Sequence, residues 1–173
     1  APVAAAITTA AVATPFAAAT ATATTAAAAF AAAVSAATTL RVTEIFHSLQ
    51  GEPSRTGLPT VFVRLTGCPL RCGYCGTAYA FHGRESLTLD EILSRVAAHG
   101  ARYVTLTGGE PLAQKQAPLL LQRLADAGYS VSLETSGALD VSAVDPRISN
   151  ILDLKTPGSG ECERNLWSNL AHL

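Results

Sequence analysis

The sequence predicts an α/β domain with a mostly parallel sheet, preceded by a low-complexity extension. From residue 40 onwards, segments rich in β-branched and aromatic residues alternate with amphipathic helical segments. Strands that alternate with helices pair in parallel through crossover connections. Polar, glycine-containing clusters follow directly on several of the predicted strands. Ligands of parallel sheets bind at the carboxyl ends of the strands, so these clusters indicate a single site.

The individual elements follow from local patterns. Thr88 and Glu91 form a capping box at the start of a helix over 88–99, which Gly100 ends. The apolar face of this helix consists of Leu89, Ile92, Leu93 and Val96. A second helix is expected around 116–127, closed by Gly128. The predicted strands are 41–47, 60–66, 103–107, 129–134 and 150–154.

The two ends of the chain have a different character. Residues 1–39 consist mostly of alanine and threonine and carry no charge, so we expect a disordered or loosely helical extension, with an anchor or targeting segment as the alternative. The folded domain is expected to span 40–173. Residues 162–173 read as the start of a helix. A parallel sheet needs a covered edge, so the sequence predicts a domain that is incomplete at its C-terminus.

Composition limits the partners. The chain has 12 Lys and Arg against 13 Asp and Glu, which argues against a nucleic-acid partner. Alanine and threonine are only marginally apolar, so a membrane partner is not expected either. Three of the four cysteines lie within eight residues and Cys162 stands apart. This spacing is unlike a secreted disulfide framework and favours metal ligands in the cytoplasm.

The cysteine loop carries the chemistry. Cys68, Cys72 and Cys75 have the spacing C-x3-C-x2-C, which can hold three corners of a [4Fe–4S] cluster. The fourth iron then keeps an open coordination site. The amino and carboxylate groups of S-adenosylmethionine can chelate that iron, and an electron from the cluster can break a C–S bond. A structural zinc site with His82 as fourth ligand is the alternative. We expect that Cys162 is not a ligand.

With Tyr74 beside the last cysteine, the loop resembles the signature of the radical S-adenosylmethionine (SAM) superfamily. Five blocks resemble the 7-carboxy-7-deazaguanine synthases in particular and together cover most of 40–170. They are EIFHSLQGE (44–52), GLPTVFVRLTGCPLRC (57–72), TGGEPL (107–112), LETSG (133–137) and DLKTPGSGE (153–161). The fold that this resemblance implies is an incomplete (β/α) barrel of the radical SAM type.

The resemblance implies a set of residues that bind SAM. Glycines allow the backbone to approach a ligand closely, and a glutamate can accept from its ammonium group. Without the family, Gly108, Gly109 and Glu110 are as consistent with a plain Gly-Gly turn and a solvated acid, and the polar residues after the next two strands with simple caps. Glu134 and Asp153 are candidates to orient Ser136 and Lys155. The implied set is Tyr74, Cys75, Gly76, Gly108, Gly109, Glu110, Ser136 and Lys155.

A second implied set holds the pterin substrate and a magnesium ion. The amide of Gln50 suits the pterin edge and the guanidinium of Arg64 suits its carboxylate, although alternation with Val63 and Leu65 leaves the face of Arg64 undecided. The implied substrate residues are Leu49, Gln50, Gly51, Arg64 and Thr107. Thr77 is implied as a Mg²⁺ ligand. The family has Asp-Thr where this chain has Gly76-Thr77, which puts the magnesium affinity in question.

The implied reaction converts 6-carboxy-5,6,7,8-tetrahydropterin to 7-carboxy-7-deazaguanine with loss of ammonia, in queuosine and 7-deazapurine biosynthesis. A 5′-deoxyadenosyl radical would abstract hydrogen from C6 of the pterin. An electron donor such as a flavodoxin and a homodimer are the implied partners. Two alternatives are another small radical enzyme, such as a glycyl-radical activase, and an inactive fragment of the synthase.

Overall fold

The computed structural model describes residues 38–52, 54–83 and 85–173. The extension expected over 1–39 lies outside the described residues except for its last two, and Thr39 already begins a strand. Within the described residues there are two α-helices, α1 (Leu89–Ala98) and α2 (Ala117–Asp126). The strands are β1 (Thr39–Leu49), β2 (Pro59–Leu65), β3 (Glu85–Thr88), β4 (Tyr103–Gly108), β5 (Ser130–Thr135) and β6 (Ser149–Leu152).

The strands form one sheet in the order β3-β1-β2-β4-β5-β6. The pairs β2–β4, β4–β5 and β5–β6 are parallel, so the predicted α/β fold with a mostly parallel sheet is confirmed. β1 runs antiparallel to β2 and to β3. No helix separates β1 from β2, and a parallel pair would need such a crossover. β3 was not predicted, because it is only four residues long and leads straight into the cap of α1.

Both helices form where the patterns predict. The Thr88 hydroxyl accepts from the Glu91 N–H at 3.2 Å, and the Glu91 carboxylate accepts from the Thr88 N–H at 2.7 Å, which completes the capping box. Gly100 and Gly128 have φ angles of 65° and 88°, the left-handed backbone that ends helices. None of the helices in the described ranges is long and apolar enough to cross a lipid bilayer.

The two faces of the sheet differ in chemistry. On one face, β2, β4 and β5 bury aliphatic side chains in the core together with the inner faces of α1 and α2. The alternate positions of these strands point to the other face and carry Arg64, Thr105, Thr107, Ser132 and Glu134. Arg64 therefore lies on the polar face, which alternation alone left undecided. This polar face is the floor of the site described below.

The prediction of a helix over 162–173 is wrong. Two short 3₁₀ turns, Cys162–Arg164 and Trp167–His172, occupy this segment. Asn169, only 1% exposed, donates to the carbonyls of Gly137 and Leu139 and accepts from the N–H of Val141. These bonds join the segment to the loop after β5. A continuous α-helix would turn Asn169 away from some of these partners.

Candidate active site

A cavity of about 510 Å³ opens at the carboxyl ends of β2, β4, β5 and β6. The cysteine loop after β2 forms one wall, and the segments after the other three strands form the rest. Most of the residues singled out from the sequence meet here. Those that line the cavity are Arg64, Cys68, Cys72, Tyr74, Cys75, Gly76, Thr77, Thr107, Gly108, Gly109, Ser136 and Lys155.

The cysteine loop is held by backbone hydrogen bonds. The N–H of Gly67 donates to the carbonyl of Ala80 at 2.8 Å, and the N–H of Gly73 donates to that of Ser159 at 2.9 Å. The loop therefore has one anchor in the turn that follows it and another in the segment after β6. All three of its thiols are unpaired and half-buried.

The sulfur chemistry suits a cluster. Burial raises the pKa of the Cys68 thiol, and the negative charges of Glu110, Cys72 and Cys75 raise it further, although the N–H of Leu70 donates to its sulfur. A bound cationic metal would reverse this balance and keep the thiolate ionised. In the described ranges, no three Cys, His, Asp or Glu side chains converge around a position for a single ion. The ligands of a cubane bind separate iron atoms, and three thiols in one loop can hold three of them.

Gly108 and Gly109 allow the end of β4 to lie directly against the cysteine loop. A Cβ on Gly109 would be 2.6 Å from the carbonyl oxygen of Gly67 and 2.7 Å from the Cβ of Cys68. A Cβ on Gly108 would be 2.5 Å from the carbonyl oxygen of Leu65. Only glycine fits at either position, and the backbone of this pair is part of the cavity wall.

The carboxylate of Glu110, expected to bind the cofactor, is held by the protein. The residue is fully buried and lies outside the cavity lining. Its carboxylate already accepts from the N–H and hydroxyl of Ser136, the hydroxyl of Thr135 and the N–H of Leu112. Four donors saturate a carboxylate. These bonds hold Ser136, which does line the cavity, and a contact of Glu110 with SAM stays a prediction.

The amide of Gln50, expected to contact the pterin, is also held by the protein. Its side-chain nitrogen donates to Thr105 and Glu134, and its oxygen accepts from the N–H groups of Gly51 and Glu52. All four hydrogen-bonding positions of the amide are used inside the protein, and the residue is 3% exposed. A contact of the amide with a pterin edge stays a prediction. The amide fixes the loop after β1 and the carboxylate of Glu134.

The flanking residues of that loop lie outside the cavity lining. Leu49 and Gly51 are exposed, whereas Glu52, which the sequence interpretation passed over, lines the cavity. Glu52 directly follows the predicted substrate residues 49–51, and its carboxylate comes soon after a strand. This position is a sequence signal that indicates a site residue. Thr135 lines the cavity as well and was missed in the same way.

Two cations face the cavity with a carboxylate beside each. Arg64 donates from Nε to Glu44 at 2.7 Å. Lys155 donates to Asp153, and its side chain is 9% exposed. Burial alone would lower the pKa of Lys155, but Asp153 and the negative charge of Cys72 together raise it above its ordinary value. Lys155 therefore stays charged at neutral pH, and both side chains can bind anionic ligands.

Thr77 lies beside the cluster loop with its hydroxyl 3.9 Å from the sulfur of Cys75. Gly76, its neighbour, has open space around it: a Cβ there would meet nothing within 4 Å. Its φ is not in the left-handed region. Neither packing nor backbone conformation therefore requires glycine at this position.

A profile of the radical SAM superfamily matches residues 62–154, more than half of the chain. This chain belongs to the radical SAM superfamily. The matched range runs from β2 through the cysteine loop to the segment after β6, and so includes every strand end around the cavity. Membership implies a [4Fe–4S] cluster and S-adenosylmethionine as cofactors.

Several relatives are similar over most of the chain. A 7-carboxy-7-deazaguanine synthase from Chlorobaculum tepidum is 48% identical over 130 residues, which cover 75% of this chain and 59% of the relative. Its counterpart from Koribacter versatilis is 45% identical, over 70% of this chain and 55% of the relative. This chain thus spans little more than half the length of these relatives. The crystal structure of QueE from Escherichia coli superposes with a TM-score of 0.66 at 27% identity, covering 78% of this chain and 68% of that one.

As a radical SAM protein, the chain has the groups that its two cofactors need in one cavity. The three thiols can bind three irons of the cluster, while Lys155 and the hydroxyl of Ser136 offer a cation and a polar group to the methionyl end of SAM. Bound there, the cofactors would supply radical chemistry that abstracts hydrogen. The protein itself supplies binding, orientation and a wall against water.

Proposed function

We propose that this radical SAM protein converts 6-carboxy-5,6,7,8-tetrahydropterin to 7-carboxy-7-deazaguanine, in queuosine and 7-deazapurine biosynthesis. The observation that supports this most is the position of Arg64, whose guanidinium lines the same cavity as the three cysteines. A substrate carboxylate bound by Arg64 would keep the rest of the molecule inside the cavity, next to the cofactors. The similarity to proteins named 7-carboxy-7-deazaguanine synthase points to the same substrate.

The remaining walls of the cavity suit a polar heterocycle. Glu52 and Glu134 offer carboxylates to the amino and ring N–H groups of a pterin, and Thr107 offers a hydroxyl. Glu134 is held in place by the amide of Gln50 at 3.1 Å. We propose that Gln50 acts through Glu134 and the loop backbone, with Leu49 and Gly51 as its flanks. Tyr74, Cys75, Gly76, Gly108 and Gly109 then face the SAM side of the cavity.

We further propose that Thr77 binds Mg²⁺ together with the substrate carboxylate and several waters. Mg²⁺ is a hard cation that keeps most of its water shell and needs few protein ligands. The hydroxyl of Thr77 lines the cavity beside the cluster loop, which supports this role.

The partners and compartment belong to the same proposal. A small pterin substrate, a flavodoxin-like electron donor and a homodimer are expected, with no nucleic-acid or membrane partner. The formal net charge of −1 supports the absence of a nucleic-acid partner. The unpaired cysteines of the described residues support a reducing, cytoplasmic location.

One anaerobic experiment tests the function. The full chain is reconstituted with iron and sulfide, reduced, and given SAM, Mg²⁺ and carboxytetrahydropterin, and 7-carboxy-7-deazaguanine is measured by mass spectrometry. Formation of 7-carboxy-7-deazaguanine that requires both SAM and the reduced cluster would support the proposal. Cleavage of SAM with no deazaguanine would show that the substrate is wrong, as an activase of a protein radical would require.

Cysteine variants give the matched control. Cys72→Ala should lose the visible absorbance of the cluster and all SAM cleavage, because the remaining two thiolates cannot hold three irons. Cys162→Ala should keep both, since Cys162 does not line the cavity. A full cluster spectrum in Cys72→Ala would contradict the ligand assignment.

A further inference from the structure

We propose that Glu44 is a positioning residue, which holds the guanidinium of Arg64 so that its terminal nitrogens bind the substrate carboxylate. This inference rests on the proposed function. Glu44 does not line the cavity and lay outside the substrate and cofactor residues singled out from the sequence. The Glu44 carboxylate is hydrogen-bonded to Arg64 and Tyr79, and of these two only Arg64 lines the cavity.

A β-bulge aims Glu44 at Arg64. In a regular strand Val42 and Glu44, two residues apart, would point to the same face. The register shifts between them, so that Val42 lies opposite Leu65 whereas Glu44 lies opposite Arg64. Directly opposite residues of an antiparallel pair share a face. Val42 is therefore in the core, and Glu44 is on the polar face.

The bulge is itself fixed by side chains. Thr43 is the extra residue of β1, and its hydroxyl lies 2.8 Å from the hydroxyl of Thr66 at the start of the cysteine loop. The strand irregularity is thus tied to the loop that carries the cluster ligands. Bulges beside active sites commonly re-aim a side chain in this way.

The guanidinium of Arg64 is held on one side only. Its Nε donates to Glu44 at 2.7 Å, and its side chain is 14% exposed. Among the described residues, Nη1 and Nη2 have no hydrogen-bond partner. Neither nitrogen is among the buried atoms left without a partner, so a ligand can reach both, and a planar carboxylate matches their spacing.

Two aromatic rings complete the arrangement. The centre of the guanidinium lies 5.7 Å from the ring of Phe46 and 5.9 Å from the ring of Tyr79. The Tyr79 hydroxyl donates to the same oxygen of Glu44 that accepts from Arg64, at 2.8 Å. Tyr79 follows the cysteine loop, so the loop, the carboxylate and the guanidinium form one connected unit.

The charge of Glu44 provides a test, because its electrostatic repulsion and its positioning of Arg64 would change the affinity for an anionic substrate in opposite directions. Burial would raise the pKa of Glu44, but the hydrogen bonds from Arg64 and Tyr79 lower it below its ordinary value, so the group is ionised at neutral pH. If only charge mattered, removal of this anion would tighten the binding of an anionic substrate. If Glu44 positions Arg64, its removal weakens that binding.

The experiment measures the dissociation constant of carboxytetrahydropterin on the reconstituted full chain with SAM, together with KM and kcat. Glu44→Ala should weaken binding and raise KM about tenfold, the effect of one charge-assisted hydrogen bond, with a smaller change in kcat. Glu44→Gln keeps an acceptor for Nε and should recover much of the affinity. Cleavage of SAM without the pterin should stay unchanged in both variants.

Two comparisons separate positioning from a general effect on the fold. Glu85→Ala removes an exposed carboxylate that is 2.7 Å from Arg95, outside the cavity, and should leave pterin binding at the wild-type value. The effects of Glu44→Ala and Arg64→Lys should be non-additive in the double variant, because both act through one guanidinium. Tyr79→Phe should weaken binding by a smaller factor than Glu44→Ala.

The outcomes are distinct. Tighter or unchanged pterin binding in Glu44→Ala, or additive effects in the double variant, would overturn this inference alone. A wild-type chain that cleaves SAM but does not bind the pterin would overturn the proposed function, and the inference with it. If Glu44→Ala does not fold, Glu44→Gln and Tyr79→Phe decide by the same binding measurement.

Discussion

Ser136 donates to Glu110 twice, from its backbone N–H at 2.8 Å and from its hydroxyl at 2.5 Å. These bonds join the segment after β4 to the segment after β5. The N–H of Glu110 in turn donates to the carbonyl of Gly67 at 2.8 Å, which adds the cysteine loop. One buried residue thus connects three walls of the cavity, and its carboxylate is solvated by protein donors in place of water.

Glu110→Gln should destabilise the protein. The amide replaces an accepting oxygen with an N–H₂ group that faces donors, which leaves buried groups unsatisfied at a cost of about 2 kcal/mol. The free energy of unfolding in urea, measured on the apoprotein, should fall by this amount. Affinity for SAM on the reconstituted protein should fall as well, because Ser136 loses its anchor.

The matched control is Glu163→Gln, the same exchange at an exposed position, which should change neither quantity. An unchanged urea midpoint for Glu110→Gln would mean that its carboxylate is not held as described.

Gly109→Ala should reduce the amount of cluster that the protein retains. The new Cβ would lie 2.6 Å from the carbonyl oxygen of Gly67 and 2.7 Å from the Cβ of Cys68, so the cysteine loop must move. Iron and sulfide content per chain after anaerobic reconstitution measures the effect. Gly158→Ala, where a Cβ meets nothing within 4 Å and φ is not left-handed, should reconstitute as the wild type does. Equal iron content in Gly109→Ala would show that the loop yields without losing its ligands.

Gln50→Glu should affect both folding and pterin binding. The side-chain nitrogen that donates to Glu134 at 3.1 Å would become an oxygen, so that two carboxylates face each other at a largely buried position. We expect a loss of about 2 kcal/mol in the free energy of unfolding at neutral pH, measured in urea. The pterin dissociation constant should rise because Glu134 is displaced. Gln122→Glu, an exposed helix position, is the control, and an equal effect of both variants would contradict the role given to Gln50.

The sequence predicts the elements and the cysteine loop well because both depend on local spacing. The capping box of Thr88 and Glu91 involves residues three apart, and the three cysteines lie in one short loop. The roles of Gln50 and Glu110 depend on partners distant in sequence, such as Thr105 and Ser136. The type of a polar residue does not reveal whether its hydrogen-bonding groups pair with the protein or with a ligand.

The face of Arg64 illustrates the same limit. Most residues of β2 are buried on both faces, as in other strands inside parallel sheets, so alternation does not separate the core from the site. The bulge in β1 that places Glu44 opposite Arg64 has no local signal in the sequence either. It depends on the register between two strands and on the contact of Thr43 with Thr66.

Asp145→Asn should destabilise the protein at neutral pH but not in strong acid. Hydrogen bonds from the Arg147 side chain and from its N–H lower the pKa of Asp145 from 3.8 to about 2. A lowered folded-state pKa stabilises the fold above pH 4, and this contribution is lost as the pH falls towards 2. The difference in the free energy of unfolding between variant and wild type, measured in urea, should shrink as the pH falls through this range. A difference that stays constant would contradict the pairing, and salt should reduce it at neutral pH because the Arg147 side chain is half exposed.

Gly76→Asp should lower the Mg²⁺ concentration required for activity. The family pattern that the sequence resembles has Asp before the threonine, and a Cβ at Gly76 meets nothing within 4 Å, so the side chain has room. A carboxylate next to Thr77 adds attraction for the cation, of about 1.4 kcal/mol or tenfold in affinity. Deazaguanine formation at increasing Mg²⁺ measures the half-saturating concentration. Gly76→Asn has the same size without the charge and should leave that concentration at the wild-type value. If both variants shift it equally, the effect arises from loop conformation and the charge argument fails.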